Sequence, residues 1–336
     1  MPTERKRAVR TAAAWAADQA AMEALYGVGG YYTSLSLWEA GEQANLTALD
    51  EIRTAVCYND WPSGLNNSVT VAGWTTDATR YAKITVAEGH RHNGIPGAGF
   101  RLVTSATVAF TISTAHTRIE WAELENTAAA GFVFDATVDN TTYQNVIGKL
   151  PAGGSGHAFS LRAGSKHEQC LAIGGNIGFR PSNDYRKGVY ANCVAVGCAV
   201  GFRSAPFDLA EAKNCIAYNC TTGYQNSFAS GSTNNASSAA SGAPGTNPVH
   251  SITSADFANA AANDFHLSSG SVLRGAGVNL YSDFQTDIDG DTWPSSGAWD
   301  IGFDYYVAAG GSLTIDSITA SNITSLGARI TLGVTR

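Results

Sequence analysis

Between residues 144 and 224 one order of polar and apolar positions recurs along the chain. Gln169-Cys170-Leu171-Ala172-Ile173, Asn192-Cys193-Val194-Ala195-Val196 and Asn214-Cys215-Ile216-Ala217-Tyr218 each run amide, cysteine, aliphatic, alanine, apolar. The cysteines stand 23 and 22 residues apart, and a glycine–aromatic pair follows each at the same intervals: Gly178-Phe179, Gly201-Phe202 and Gly223-Tyr224. Weaker copies begin at Asn145-Val146-Ile147, with Phe159 behind it, and at Trp121, with Gly131-Phe132. A period of this length is too short for helix-pair repeats and too long for a heptad. Its β-branched and small residues, separated by glycine-rich bends, have strand and turn chemistry.

The pattern therefore predicts an all-β fold, a right-handed parallel β-helix in which each repeat is one coil of a single-stranded solenoid. Coils stack at about 4.8 Å, so equivalent residues form ladders. Asn145, Gln169, Asn192 and Asn214 are expected to make one amide ladder, each bonding to the next. Cys170, Cys193 and Cys215 make a second ladder of buried, reduced thiols, because residues stacked across parallel strands sit poorly for a disulfide. Phe179, Phe202 and Tyr224 make an aromatic stack. Upstream, residues 69–74, 80–86, 106–112 and 117–124 read as shorter strands of the same column.

The column, residues 31–306, is expected to carry different elements at its ends. Residues 3–26 are rich in Ala, Glu, Lys and Arg without Gly or Pro, which predicts a helix capped by Thr3, within an arm spanning 1–30. Arg5, Lys6, Arg7 and Arg10 fall in its first turns, against the helix dipole, and raise the question of an outside anionic partner beside that of a solvated face. A second helix is expected over residues 35–44, with Ser34 as cap and Trp38 facing the column. Residues 226–247, almost all Ser, Ala, Gly and Asn, read as a surface loop. Beyond Tyr306, residues 312–319 and 328–335 alternate as half-buried strands do and form a C-terminal strand tail over 307–336.

Charge and composition narrow the partners. A net charge of −7 speaks against nucleic acid, whose phosphates need clustered Lys and Arg. No stretch approaches the roughly 20 apolar residues of a membrane span, and the alanine run after Arg7 lacks the leucine-type core of an export signal. With 36 Gly, 9 Pro and 15% charged residues the chain suits a long packed column rather than disorder.

Several runs are familiar. Tyr32-Thr33-Ser34-Leu35-Ser36-Leu37-Trp38-Glu39-Ala40, Leu46-Thr47, Asp50-Glu51-Ile52 and Cys57-Tyr58-Asn59-Asp60 resemble the opening of pectate-lyase-like β-helix proteins of tailed bacteriophages and prophages. Asp264-Phe265-His266-Leu267, Gly275-Ala276-Gly277, Asp287-Ile288-Asp289-Gly290 and Trp299-Asp300-Ile301-Gly302 resemble their closing segment. The tail from Ser312 is similar to the first two strands of a fibronectin type III domain. The resemblance implies a virion protein: a capsid decoration or tail appendage on the outer surface of the particle. It also implies a homotrimer, with other virion proteins and host surface polysaccharide as partners. The alternative it carries is a polysaccharide-degrading tailspike.

The chemistry favours the first reading. The regular coils hold few carboxylates, with Asn, Cys and Ala at the ladder positions where paired acids would be needed. If the chain is an enzyme, Glu120, Glu123 and Glu125 are the candidate catalytic residues, the last two sharing a strand face. A solvated strand edge is the plainer reading of all three. His90-Arg91-His92 before Asn93-Gly94 reads as a loop. Asp287, Asp289 and Asp291 are the candidate metal ligands, resembling the start of a calcium loop, although Ala298 stands where the closing Glu belongs. A hydrogen-bonded turn is the other reading of that motif, and no further cofactor is expected.

Overall fold

The computed structural model describes residues 1–182, 188–207 and 209–308. A first compact unit spans Met1–Tyr306. The strand tail predicted over 312–319 and 328–335 lies outside the described residues.

What each coil needs is two sharp corners joining three short strands, and the sequence supplies the first corner with an amide. Asn145, Gln169, Asn192 and Asn214 all take the left-handed backbone conformation, with φ between 51° and 54°. Asn reaches that region more cheaply than most side chains. Each of these residues turns the chain from the first sheet into the second within two residues. The first sheet holds nine parallel strands, from Tyr31–Tyr32 and Thr3–Val9 through Glu51–Cys57 to Glu211–Lys213. The second also holds nine, from Leu65–Asn66 to Val249–His250. The third face is made by Val69–Val71, Val108–Ile112 and Phe132–Ala136, then by the four strands His157–Leu161, Ile177–Pro181, Val200–Arg203 and Thr222–Gln225. The molecule is a right-handed parallel β-helix.

The interior is a set of ladders. Leu171, Val194 and Ile216 are register partners, which aligns Cys170, Cys193 and Cys215 one coil apart. All three are free and fully buried, and their thiols point at the carbonyls of Tyr143, His167 and Tyr190 in the coil before. Phe134, Phe159, Phe179, Phe202 and Tyr224 stack at centroid spacings of 5.1, 4.8, 4.8 and 5.1 Å. The interior narrows where the second and third faces meet. A Cβ on Gly178 or Gly201 would lie 3.2 Å from the Cβ of Ala172 or Ala217 and closer still to the next coil's carbonyl. This close approach is why Gly precedes Phe179 and Phe202.

Three expectations need correction. Residues 3–9 form a strand rather than the start of a helix; the helices are Ala12–Ala17, capped by Thr11 rather than Thr3, and Gln19–Tyr26. Thr3–Val9 pairs along its full length with Glu51–Cys57, so hydrogen bonding in a sheet overrides helix propensity. The basic residues find their anions inside the same chain. Arg5 and Arg7 reach the buried Glu42 at 3.0 and 3.2 Å, and Arg10 reaches Asp60 at 3.1 Å. Trp15 stacks on Tyr31 at 4.6 Å, so the N-terminal arm packs on its own column. Second, residues 117–124 are not one strand: Trp121, at φ 62°, makes a corner between Arg118–Glu120 and Glu123–Asn126. Third, the stretch 226–247 contributes a further short coil, with Ala236–Ser237 parallel to Ile216–Tyr218. The helix Leu35–Glu42 forms as expected, with Ser34 as cap and Trp38 fully buried against Trp74.

His167 is an imperfect rung. It lies between Tyr143 and Tyr190 in the interior of the first sheet, parallel to Tyr143 at 4.7 Å, and neither ring nitrogen has a hydrogen-bond partner. Burial lowers its pKa to about 3, and that of His157 likewise. The unfolded chain takes up these protons below about pH 6.5 and the folded chain does not, so stability is full above that pH and falls as pH drops toward 3. The slope is at most about 1.4 kcal/mol per pH unit per histidine. His167→Phe should therefore raise the thermal midpoint at neutral pH by removing two unsatisfied nitrogens, worth roughly 1–3 kcal/mol. It should also flatten the acid limb. Thermal melts from pH 4 to 8 check both outcomes; a lower midpoint at pH 7 would contradict this account of the ladder.

Candidate functional site

The corner at Trp121 decides the fate of the three glutamates. Glu120 stays on the first sheet, where Lys83 pairs with it at 2.8 Å and the Thr85 hydroxyl donates to it at 3.3 Å. Glu123 and Glu125 lie on the outer side of the second sheet. Glu125 is paired with Lys149 at 3.1 Å. Glu123 is fully buried, accepts the Gly97 amide at 2.6 Å, and has its pKa raised by burial. It tethers the loop that contains His90, Arg91 and His92. The fold thus keeps Glu123 and Glu125 together and separates Glu120 from them.

An open polar groove runs over the outer side of the first sheet, lined by Glu4, Lys6, Thr54, Lys83, Thr85 and Glu120. Four of its charges are matched in pairs, Glu4 with Lys6 at 3.4 Å and Glu120 with Lys83, and the Thr54 hydroxyl donates to Glu4 at 2.8 Å. The strands bearing Glu4 and Glu120 are three inter-strand spacings apart, roughly 14 Å. A glycosidase pair works at about 5–9.5 Å, so these two carboxylates do not form one.

Over the regular coils the outer sides of the first and second sheets are partly covered. The segment that follows His250 turns back and runs along the amide corner. Asn234 donates to the Ala276 carbonyl at 2.6 Å, and Asn214 exchanges two bonds of 2.8 Å with the Val278 backbone. Gln169 donates to the Thr286 carbonyl at 2.8 Å. One side-chain bond links neighbouring amides, Asn214 to Asn192 at 2.9 Å. The expected amide-to-amide ladder is therefore mostly a docking line for the returning chain. Phe257, Phe265, Leu273, Ile288, Ile301 and Phe303 cover the outward Ile147, Leu171, Val194 and Ile216 of the second sheet. Leu280, Phe284, Trp293 and Trp299 cover Ala191 on the first sheet, with the two tryptophans stacked at 4.4 Å.

The predicted calcium motif belongs to this segment and is rearranged by it. Asp287 is buried, and its carboxylate accepts the amides of Asp289, Asp291 and Tyr305, so it holds a turn. Burial, with Asp304 and Asp289 nearby, raises its pKa to about 7. Asp291 is exposed. Asp289 instead faces His266 and Asp304, whose ligating atoms lie with its own within 4.8 Å of one another. Burial opposes protonation of His266, but Asp289, Asp304 and Asp264 outweigh it and lift its pKa to about 10. Burial raises Asp304 to about 6. His266 and Asp304 escaped the sequence reading because each is far along the chain from the Asp287 turn. The signal available was that both sit in or beside the closing runs Asp264-Phe265-His266-Leu267 and Ile301-Gly302.

No protein-family model matches the chain, and no curated protein matches it. Among solved structures, that of pectate lyase Pel9A aligns over 81% of this chain and 91% of its own, at 15% identity and a TM-score of 0.41. That likeness concerns the fold alone. Among the described residues no helix is long and apolar enough to cross a membrane.

The covering segment can be tested by removal. A chain ending after His250 would expose Ile147, Leu171, Val194 and Ile216 together, a larger apolar stripe than soluble monomers tolerate. It is expected to bind a hydrophobic dye and to aggregate at concentrations where the full chain does neither. A truncated chain that stays monomeric and binds no dye would show that the cover is dispensable.

Proposed function

We propose that this chain is a non-catalytic structural module of a bacteriophage particle, a capsid decoration or tail appendage on its outer surface. The observation that carries the reading is the covered column: over the regular coils the outer sides of two sheets are buried under the chain's own C-terminal segment. An enzyme of this architecture needs an open cleft with convergent acids, whereas here each candidate glutamate is held by a lysine or a backbone amide. A sealed column with matched surface charges suits a part selected for durability. The resemblance of the opening and closing runs to phage β-helix proteins supports the particle. It also supports a homotrimer in contact with other virion proteins. The N-terminal arm does not add to the case for a trimer, since it docks on its own column.

The groove over the first sheet favours a second role within the same reading, a surface for host polysaccharide. Its alternating Glu–Lys pairs and threonine hydroxyls offer donors and acceptors at strand spacing. Were the protein instead a polysaccharide-degrading tailspike, this groove would hold the reaction and Glu120 would be essential to it.

Two measurements test the proposal. Acidic and neutral polysaccharides incubated with the protein are expected to keep their length, with no new reducing ends or unsaturated products. Turnover abolished by Glu120→Gln would overturn the structural reading. Light scattering of the intact chain is expected to give the mass of a trimer, and a monomer at micromolar concentration would remove that part of the proposal.

A further inference from the structure

In the segment that covers the column, one buried nitrogen faces two carboxylates and makes no hydrogen bond. His266 Nδ1 lies 2.5 Å from Asp264 Oδ1. An ionised carboxylate only accepts, so that contact places a ring proton on Nδ1 and fixes the ring's orientation. The other nitrogen, Nε2, is buried. Asp289 Oδ1 is 3.3 Å from it, an ion-pair distance, and no hydrogen bond of good geometry satisfies Nε2. Asp304 completes the group, all ligating atoms within 4.8 Å. Its Oδ2 accepts the Leu267 amide at 2.6 Å, which holds the carboxylate in place and leaves its second oxygen available.

A carboxylate behind a histidine, with further carboxylates in front of it, is the arrangement that orients an imidazole toward a metal. Donors about 2.1 Å from a tetrahedral zinc lie roughly 3.4 Å apart, close to the spacing of Nε2 and Asp289. We propose that His266, Asp289 and Asp304 bind one divalent cation of the zinc class, oriented by Asp264. An imidazole with two carboxylates selects zinc, cobalt or nickel over calcium, which takes six to eight oxygens. The side of Asp289, whose side chain is 32% exposed, gives the ion its entry and room for a water as fourth ligand. Asp287 and Asp291 take no part: the first is saturated by backbone amides and the second belongs to the turn.

Such an ion would tie together three separated passes of the covering segment: the strand Asp264–Leu267, the turn at Asp289 and the stretch at Asp304. The site would act as a staple on the cover, with no part in catalysis.

Titration of the intact, chelator-treated protein with cobalt(II), followed by visible absorption, tests the site directly. One equivalent is expected to give the bands of a four- or five-coordinate complex with an imidazole ligand, and zinc should displace it. Zinc should also raise the thermal midpoint, reversibly on adding chelator. Asp289→Asn alters a side chain that holds no backbone group, so it should fold, and its zinc-dependent rise in midpoint is read against its own metal-free melt. It should bind cobalt at least tenfold more weakly. His266→Gln should lose the bands. The proposal fails if cobalt binds with no imidazole signature, or if Asp289→Asn binds as the parent does. It fails equally if calcium, and not zinc, shifts the melt.

Discussion

The fold rests on a constraint at one corner. A coil of about 22 residues closes only if the chain turns from the first sheet to the second in two residues, and that requires a left-handed backbone at one position in every coil. Asn145, Gln169, Asn192, Asn214 and Asn234 hold that position. Because the corner is made by backbone conformation, the side-chain amide is left pointing outward, unused by its own coil. The returning C-terminal segment takes it up. A requirement of chain geometry thus creates a line of exposed donors and acceptors, and the chain uses that line to attach its own cover.

The cover determines what the column can do. Over the regular coils the second sheet turns Ile147, Leu171, Val194 and Ile216 outward, an apolar row that lies under the cover. The polar outer side of the first sheet survives at the N-terminal half, where its charges are neutralised in pairs. Matched pairs of this kind add little stability at an exposed site. They keep the outer side of that sheet polar.

Much of the fold was legible because the coils of residues 144–224 repeat the same residues at the same ladder positions. Legibility was lost where one element's fate depended on another far along the chain. Residues 3–9 have helical composition, and only Glu42 and the strand Glu51–Cys57 make them a strand. Trp121 carries none of the usual marks of a left-handed corner, so residues 117–124 read as continuous and Glu120 was grouped with the wrong neighbours. Asn234 did carry such a mark, but the Ser and Ala around it hid the coil. At the candidate site the Asp287 turn was visible as a motif. His266 meets Asp289 of that turn and Asp304, a grouping that sequence distance conceals.

A stack of coils ordinarily behaves as a one-dimensional array, in which each unit leans only on its neighbours and the ends fray first. The returning segment changes that topology. Its bonds join residues 64 and 117 positions apart, so Val278 is tied to the coil of Asn214 and Thr286 to that of Gln169. The last coil cannot peel away without drawing the segment off coils well inside the stack. Unfolding from the C-terminal end therefore has to proceed in large cooperative steps, and the column behaves as one closed unit where its repeats alone would have made an open chain of them.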